Sequence, residues 1–236
     1  MNAMNRNESI SSSVQRLNRL LPLKARQDRL PATLKALHLS VIESLITRGR
    51  PPHRTEVAAA VGADQVDAAL ALLERDDLIV LSPDRLNILG AYPVTSEITP
   101  HAVEINSHLI HAMCALDALA VAPLFNCVVA IRSRCRVTGE AISVGQQGGR
   151  ILEADPATTR VGVRWQPPSG GCAAHSLCME MVFLKDDGAA AAWHKGDLQR
   201  HSVYTLEQAV VFGAEYFGPL LGKVAAGSAN TPCQAQ

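Results

Sequence analysis

Between Val129 and Val137 the chain changes side-chain character at every step. Val129, Ile131, Ser133, Cys135 and Val137 fall on one parity; Ala130, Arg132, Arg134 and Arg136 fall on the other. Successive side chains of a strand point to opposite faces, so this stretch predicts a half-buried strand that turns its arginines to water. A helix would drive arginines into any core that received the apolar residues. The fold must therefore contain a sheet with one wet face and a core beneath the other.

The preceding half reads differently. Leu34, Leu37, Val41 and Leu45, with Ile42 and Ile46, form a helical stripe over 33–48 that Gly49, Pro51 and Pro52 stop. A second short helix fits Thr55–Val61, with Gly62 past its end. A third is expected from Asp64, read as its N-cap, to about Arg75, burying Val66, Leu70 and Leu73. Leu78–Leu81 and Leu86–Leu89 flank a Ser82–Pro83–Asp84 turn. Three helices followed by two short strands is the order of a winged helix-turn-helix. Residues 1–32 are polar, with six basic side chains against two acidic ones. Leu17, Leu20 and Leu21 suggest a short amphipathic helix ending near Pro22, in an arm expected to dock loosely.

A turn-rich stretch, Tyr92–Pro100, separates the halves. Beyond it, His108–Ala122 reads as a helix closed by Pro123. Ala141–Val144, Val161–Trp165 and Ser176–Leu184 read as strands, and Ala189–His194 as a short helix. Thr205-Leu206-Glu207-Gln208 is a capping box that opens a helix toward Leu220. The expected fold is α+β: a winged-helix-like N-terminal helical domain packed on a C-terminal mixed or antiparallel sheet domain with helices. Its divisions are a basic arm 1–32, the winged-helix-like domain 33–95, the sheet domain 96–222 and a disordered tail 223–236.

Composition narrows the function classes. The chain is 47% hydrophobic, enough for a core, and its 22 basic and 22 acidic side chains balance. Residues 64–77 carry Asp64, Asp67, Glu74, Asp76 and Asp77 against Arg75, and residues 33–100 hold six basic and nine acidic side chains. Phosphates would repel such a recognition helix, so no nucleic-acid partner is expected. The longest apolar region, Ala112–Phe125, is broken by Asp117 and Pro123, short of the roughly 18 residues that a membrane span needs. No apolar leader with a cleavage site is visible, so the expected location is cytoplasmic. Six cysteines without a C-x-x-C pair are then expected to be reduced thiols.

Cys114 and Asp117, three apart in the predicted helix, share one of its faces. A carboxylate there costs free energy unless it is bonded or used. Cys178 lies in the predicted strand, on the parity of Glu180, Val182 and Leu184. Spacing alone does not bring Cys178 to Cys114.

The segment Met113-Cys114-Ala115-Leu116-Asp117-Ala118-Leu119, then Ser133-Arg134-Cys135-Arg136-Val137-Thr138-Gly139, then Ser176-Leu177-Cys178, resembles the organomercurial (alkylmercury) lyases. The resemblance spans roughly residues 33–222. It implies that Cys114, Asp117 and Cys178 form an active site, with Cys135 structural. It further implies that the two thiolates bind the mercury of R–Hg⁺ while Asp117 shuttles a proton to the carbon. Hydrocarbon would leave, and Hg(II) would pass to cellular thiols and on to a mercuric reductase. The implied substrates are small organomercurials, with no resident cofactor. The sequence departs from the family at Met113, where an aromatic residue is usual, and at Met179 and Glu180, where some members carry cysteine and histidine. Met113, Leu116 and Leu177 are candidates for an apolar shell around Asp117. Cys172, in a Gly/Pro loop, and Cys233, in the tail, are not expected to be essential. Two other readings stay open on the residues alone. One is a winged-helix, metal-responsive transcriptional regulator. The other is a non-catalytic mercury-binding protein, which would need both cysteines but not Asp117.

Overall fold

The computed structural model describes residues 9–222, so the expected tail 223–236, including Cys233, lies outside the described residues. Eight helices and eleven strands are described. The N-terminal half contains α1 (Ile10–Leu20), α2 (Leu23–Asp28), α3 (Ala32–Arg48), α4 (Arg54–Val61) and α5 (Val66–Arg75), then the strands β1 (Val80–Leu81) and β2 (Ile88–Ala91). The stripe read over 33–48 is indeed a helix, ended by Gly49 in the left-handed region. Asp64 is not the cap of α5. It lies in a 3-10 turn, Ala63–Gln65, that precedes the helix.

The strands β3 (Val94–Thr95), β4 (His101–Ile105), β5 (His108–Ala112), β6 (Val128–Arg134), β7 (Ala141–Gln147) and β8 (Arg150–Asp155) complete an antiparallel sheet in the order β1-β2-β3-β5-β4-β6-β7-β8. The sheet passes without interruption through the turn-rich stretch at 92–100. A second antiparallel sheet has the order β10-β9-β11, from β9 (Arg160–Arg164), β10 (Met181–Leu184) and β11 (His201–Thr205). The architecture is thus helices with antiparallel sheets. The arginine face of β6 is as expected: Val129, Ile131 and Ser133 are buried while Arg132 and Arg134 are exposed. The strand ends at Arg134 rather than Val137, because the chain turns at Cys135, whose carbonyl accepts from Gly139 N at 2.9 Å. Val137 is consequently exposed.

Two helices fill the space between the sheets: α6 (Ala115–Phe125) and α8 (Leu206–Phe217), with α7 (Asp187–His194) outside. Nearly every residue of α6 is buried, the mark of a helix apolar all round. Pro123 sits inside it rather than ending it. Proline has no N–H, so the carbonyl four residues back loses its helical partner. The buried side chain of Gln146 supplies the replacement, its Nε2 donating to Leu119 O at 3.0 Å. Helix α8 opens at the Thr205 capping box, as its sequence indicated. It crosses α6 at Gly213, where a Cβ would lie 2.9 Å from Ala120 Cβ and 3.1 Å from Leu116 O. Only glycine permits that approach.

The arm corrects the expectation of loose docking. Leu17, Leu21 and Leu23 are buried, and each such side chain contributes about 1.5–3 kcal/mol by leaving water. Ser13 Oγ lies 2.8 Å from Tyr204 Oη, Gln27 Nε2 donates to Leu220 O at 2.9 Å, and Tyr216 Oη donates to Leu21 O. Arg16 stacks over Trp165, 4.6 Å from its ring centre. The polar composition of the arm had concealed an apolar stripe that covers α8. No helix among the described residues is long and apolar enough to cross a membrane.

Candidate active site

The residues 108–122 do not form one helix. His108–Ala112 is strand β5, with Ile110 and Ala112 buried and Leu109 exposed, and α6 begins only at Ala115. Cys114 is therefore the N-cap of α6, in extended conformation (φ −154°, ψ 177°). Its sulfur accepts from Asp117 N at 3.3 Å. This is an N-cap bond to the amide three residues on, with a thiol in place of the usual hydroxyl. The C-A-L-D sequence thus sets the two side chains face to face through the start of the helix, not along its side.

Cys178 is likewise not in a strand. It opens a 3-10 turn, Cys178–Glu180, just before β10. Its N–H donates to Ala173 O at 2.9 Å. Ala173 N in turn donates to Asp77 Oδ2 at 3.1 Å. Asp77, at the end of α5, thereby anchors the loop that delivers Cys178. The outcome is the spatial convergence that spacing could not supply. One ligand atom each from Cys114, Asp117 and Cys178 lie within 4.8 Å of one another, and all three residues are buried.

The environment is dry, and burial governs the protonation of each group. Burial pushes the Asp117 carboxyl up to about 7, against a smaller downward pull from the Cys114 thiol and amide. Burial pushes the Cys114 thiol up to about 11, with the hydrogen bond to Cys178 opposing it. The Cys178 thiol is raised well above its ordinary value, first by its hydrogen bond to Cys114 and then by burial. Burial thus holds both thiols in their neutral form and favours the protonated form of Asp117. Among the described residues Asp117 Oδ2 is buried without a hydrogen-bond partner, an orphan that normally costs about 1–3 kcal/mol. The arrangement offers two soft sulfur donors and one proton carrier to a thiophilic cation.

Met113, Leu116 and Leu177, the candidates for an apolar shell, are all buried. Sequence reasoning missed three neighbours. Tyr92 and Tyr216 are buried phenols whose ionisation is opposed by burial and then by the charges of Cys178 and Asp117, among others. Met181 Sδ lies 3.8 Å from Cys114 Sγ. No local pattern marks them, because turn, helix and strand each contribute one residue. Cys135 lies apart, buried at the junction of the sheets, where its sulfur accepts from Lys185 N at 3.4 Å. Cys172 is half-buried and hydrogen-bonds to Asp77 and Tyr92, outside the triad.

Comparisons with known proteins give the family of the chain. The family model described as "MerB: Alkylmercury lyase" matches residues 94–218. A relative named alkylmercury lyase from Staphylococcus epidermidis is 26% identical over 174 residues, covering 72% of this chain and 76% of its own. One of the same name from Pseudomonas putida is 27% identical over 168 residues, covering 69% and 74%. A third, from Streptomyces lividans, is 26% identical over 164 residues, covering 69% and 72%. Among solved structures, the crystal structure of the mercury-bound form of MerB2 shares the fold, with a TM-score of 0.71 at 22% identity, over 84% of this chain and 98% of that one. With more than half its length inside the family match, this chain belongs to the alkylmercury lyase family.

Proposed function

We propose that this protein is an organomercurial lyase in which Cys114 and Cys178 capture R–Hg⁺ and Asp117 carries the proton that cleaves the carbon–mercury bond. The observation that carries the reading is the buried meeting of two thiols and a carboxyl with one unpartnered oxygen. The proton balance is simple. R–Hg⁺ and two neutral thiols give RH, a mercury bridged by two thiolates, and one released H⁺. Mercury displaces the proton of one thiol, and ionised Asp117 accepts it. The second sulfur adds to mercury and raises electron density on its carbon, and its own proton leaves. Protonated Asp117 then delivers its proton to that carbon as the bond to mercury breaks. Mercury remains Hg(II) throughout, and the step as written needs no resident cofactor.

The displaced acidities fit these roles. With Asp117 near 7 and Cys114 near 11, the proton stays on sulfur until mercury arrives. Metal capture and proton release are then one coupled event. Asp117 is an effective donor because a group titrating near the working pH balances availability against driving force. Apolar walls suit small alkyl or aryl groups. Hg(II) on the thiolates leaves to external thiols, and a mercuric reductase is the expected receiver. The N-terminal half, read as winged-helix-like, serves as a cover whose Asp77 anchors the Cys178 loop. A regulator reading gains no support from these contacts, and the acidic α5 opposes it.

The test is benzene release from a phenylmercury salt with excess thiol. Wild type should release one benzene per phenylmercury over many turnovers. Stoichiometric mercury binding without benzene would instead identify a non-catalytic binder.

A further inference from the structure

The reaction as written leaves one nearby sulfur unused. Met181 is buried, its Sδ lies 3.8 Å from Cys114 Sγ, and the Cys114 thiol donates to it. The position is held by the backbone. Met181 opens β10 and pairs with Val163 of β9, three residues beyond Cys178. It is therefore carried by the segment that delivers the second cysteine.

The direction of this contact matters. An aliphatic side chain would fill the same space, but it would offer no lone pair to the thiol. An acceptor of the Cys114 S–H faces the place that the proton occupies. A mercury cation that displaces this proton from Cys114 comes to lie on the same sulfur, within reach of the same acceptor. A thioether is soft and polarisable, as mercury prefers. It is also neutral and unprotonated across the working pH range, so it adds electron density without competing for the proton that Asp117 holds.

We propose that Met181 Sδ is a third sulfur donor to substrate and product mercury, bonding more weakly and at longer range than the thiolates of Cys114 and Cys178. The inference rests on the reading of those two cysteines as mercury ligands. No proton or oxidation state changes in this contact. The thioether shares a lone pair, which bends the S–Hg–S unit away from linear and pushes charge onto mercury before carbon is protonated.

X-ray absorption at the mercury edge tests this on the full chain loaded with one equivalent of Hg(II). Wild type should show two short sulfur neighbours and a third at longer distance. Met181→Leu, which nearly conserves volume, should keep only the two short ones, retain 1:1 binding, and release benzene roughly tenfold more slowly in a single turnover. Two short sulfurs alone in wild type would overturn the proposal, whether or not the variant folds. Identical sulfur shells in wild type and Met181→Leu would overturn it too. A Cys114→Ser/Cys178→Ser double variant separates the underlying reading. Its loss of 1:1 binding supports those ligands, whereas retained binding would sink that reading and the third donor with it.

Discussion

Asp77 and Asp117 are both buried carboxylates with a cysteine at their side, yet their surroundings differ. Asp77 is saturated. Its Oδ1 accepts from Tyr92 Oη at 3.1 Å, and its Oδ2 accepts from Ala173 N at 3.1 Å and lies 3.5 Å from Arg26 Nη1. Cys172 adds a further hydrogen bond. Asp117 donates its amide to Cys114 Sγ, and among the described residues one of its carboxyl oxygens has no hydrogen-bond partner. Burial raises both carboxyls, that of Asp117 to about 7. The same pair of residue types thus has both carboxyl oxygens bonded in one place and, among the described residues, one oxygen without a partner in the other. The difference lies in unmet hydrogen-bonding capacity.

The sharpest break between the two is chemical. Asp117→Ala should slow benzene release by about 10²–10⁴-fold, the usual worth of a positioned proton donor, while one Hg(II) still binds per chain. Asp77→Asn should leave the single-turnover rate within about threefold. Equal losses in the two variants would erase the distinction.

A second difference is one of linkage. The Asp117 carboxyl titrates near 7 when folded and near 4 when unfolded. Between those values the folded state holds the additional proton. The stability linked to Asp117 is therefore present below about pH 4 and lost as pH rises to about 7, on the order of a few kcal/mol in all. Asp117→Asn lacks this slope, so its Tm should gain several degrees on wild type between pH 5 and pH 8. Asp77 slopes the same way in both proteins and cancels. Parallel Tm curves would mean that Asp117 ionises as it does in water.

Smaller still is the structural effect at Asp77. Asp77→Asn removes an ionised acceptor from Tyr92, Ala173 N and Arg26, which should cost about 1–3 kcal/mol and appear as a lowered urea midpoint. No change in midpoint would deny Asp77 its anchoring role.

These contrasts also mark how far the sequence could be read. The alternation of β6 and the Thr205 box survive because each rests on local geometry. The start of α6 was displaced because β5 runs almost directly into it and no glycine or proline marks the join. Cysteine is also not among the usual N-cap residues, so Cys114 did not announce a boundary. Cys178 was read as strand because its apolar neighbours continue into β10. The arm misled because six basic side chains outweigh, in composition, the few leucines that α8 buries. The triad residues were legible only through resemblance. Asp77 holds Ala173, the acceptor of the Cys178 N–H, through a contact across 96 residues of chain that no periodicity encodes.

Anomalous diffraction from crystals soaked in phenylmercury and then in thiol tests the central claim most directly. The result expected is a single mercury peak, with phenyl density lost, within bonding distance of both Cys114 Sγ and Cys178 Sγ and beside the Asp117 carboxyl. Mercury bound instead at Cys172 or Cys135, with the Cys114–Cys178 pair empty, would contradict it.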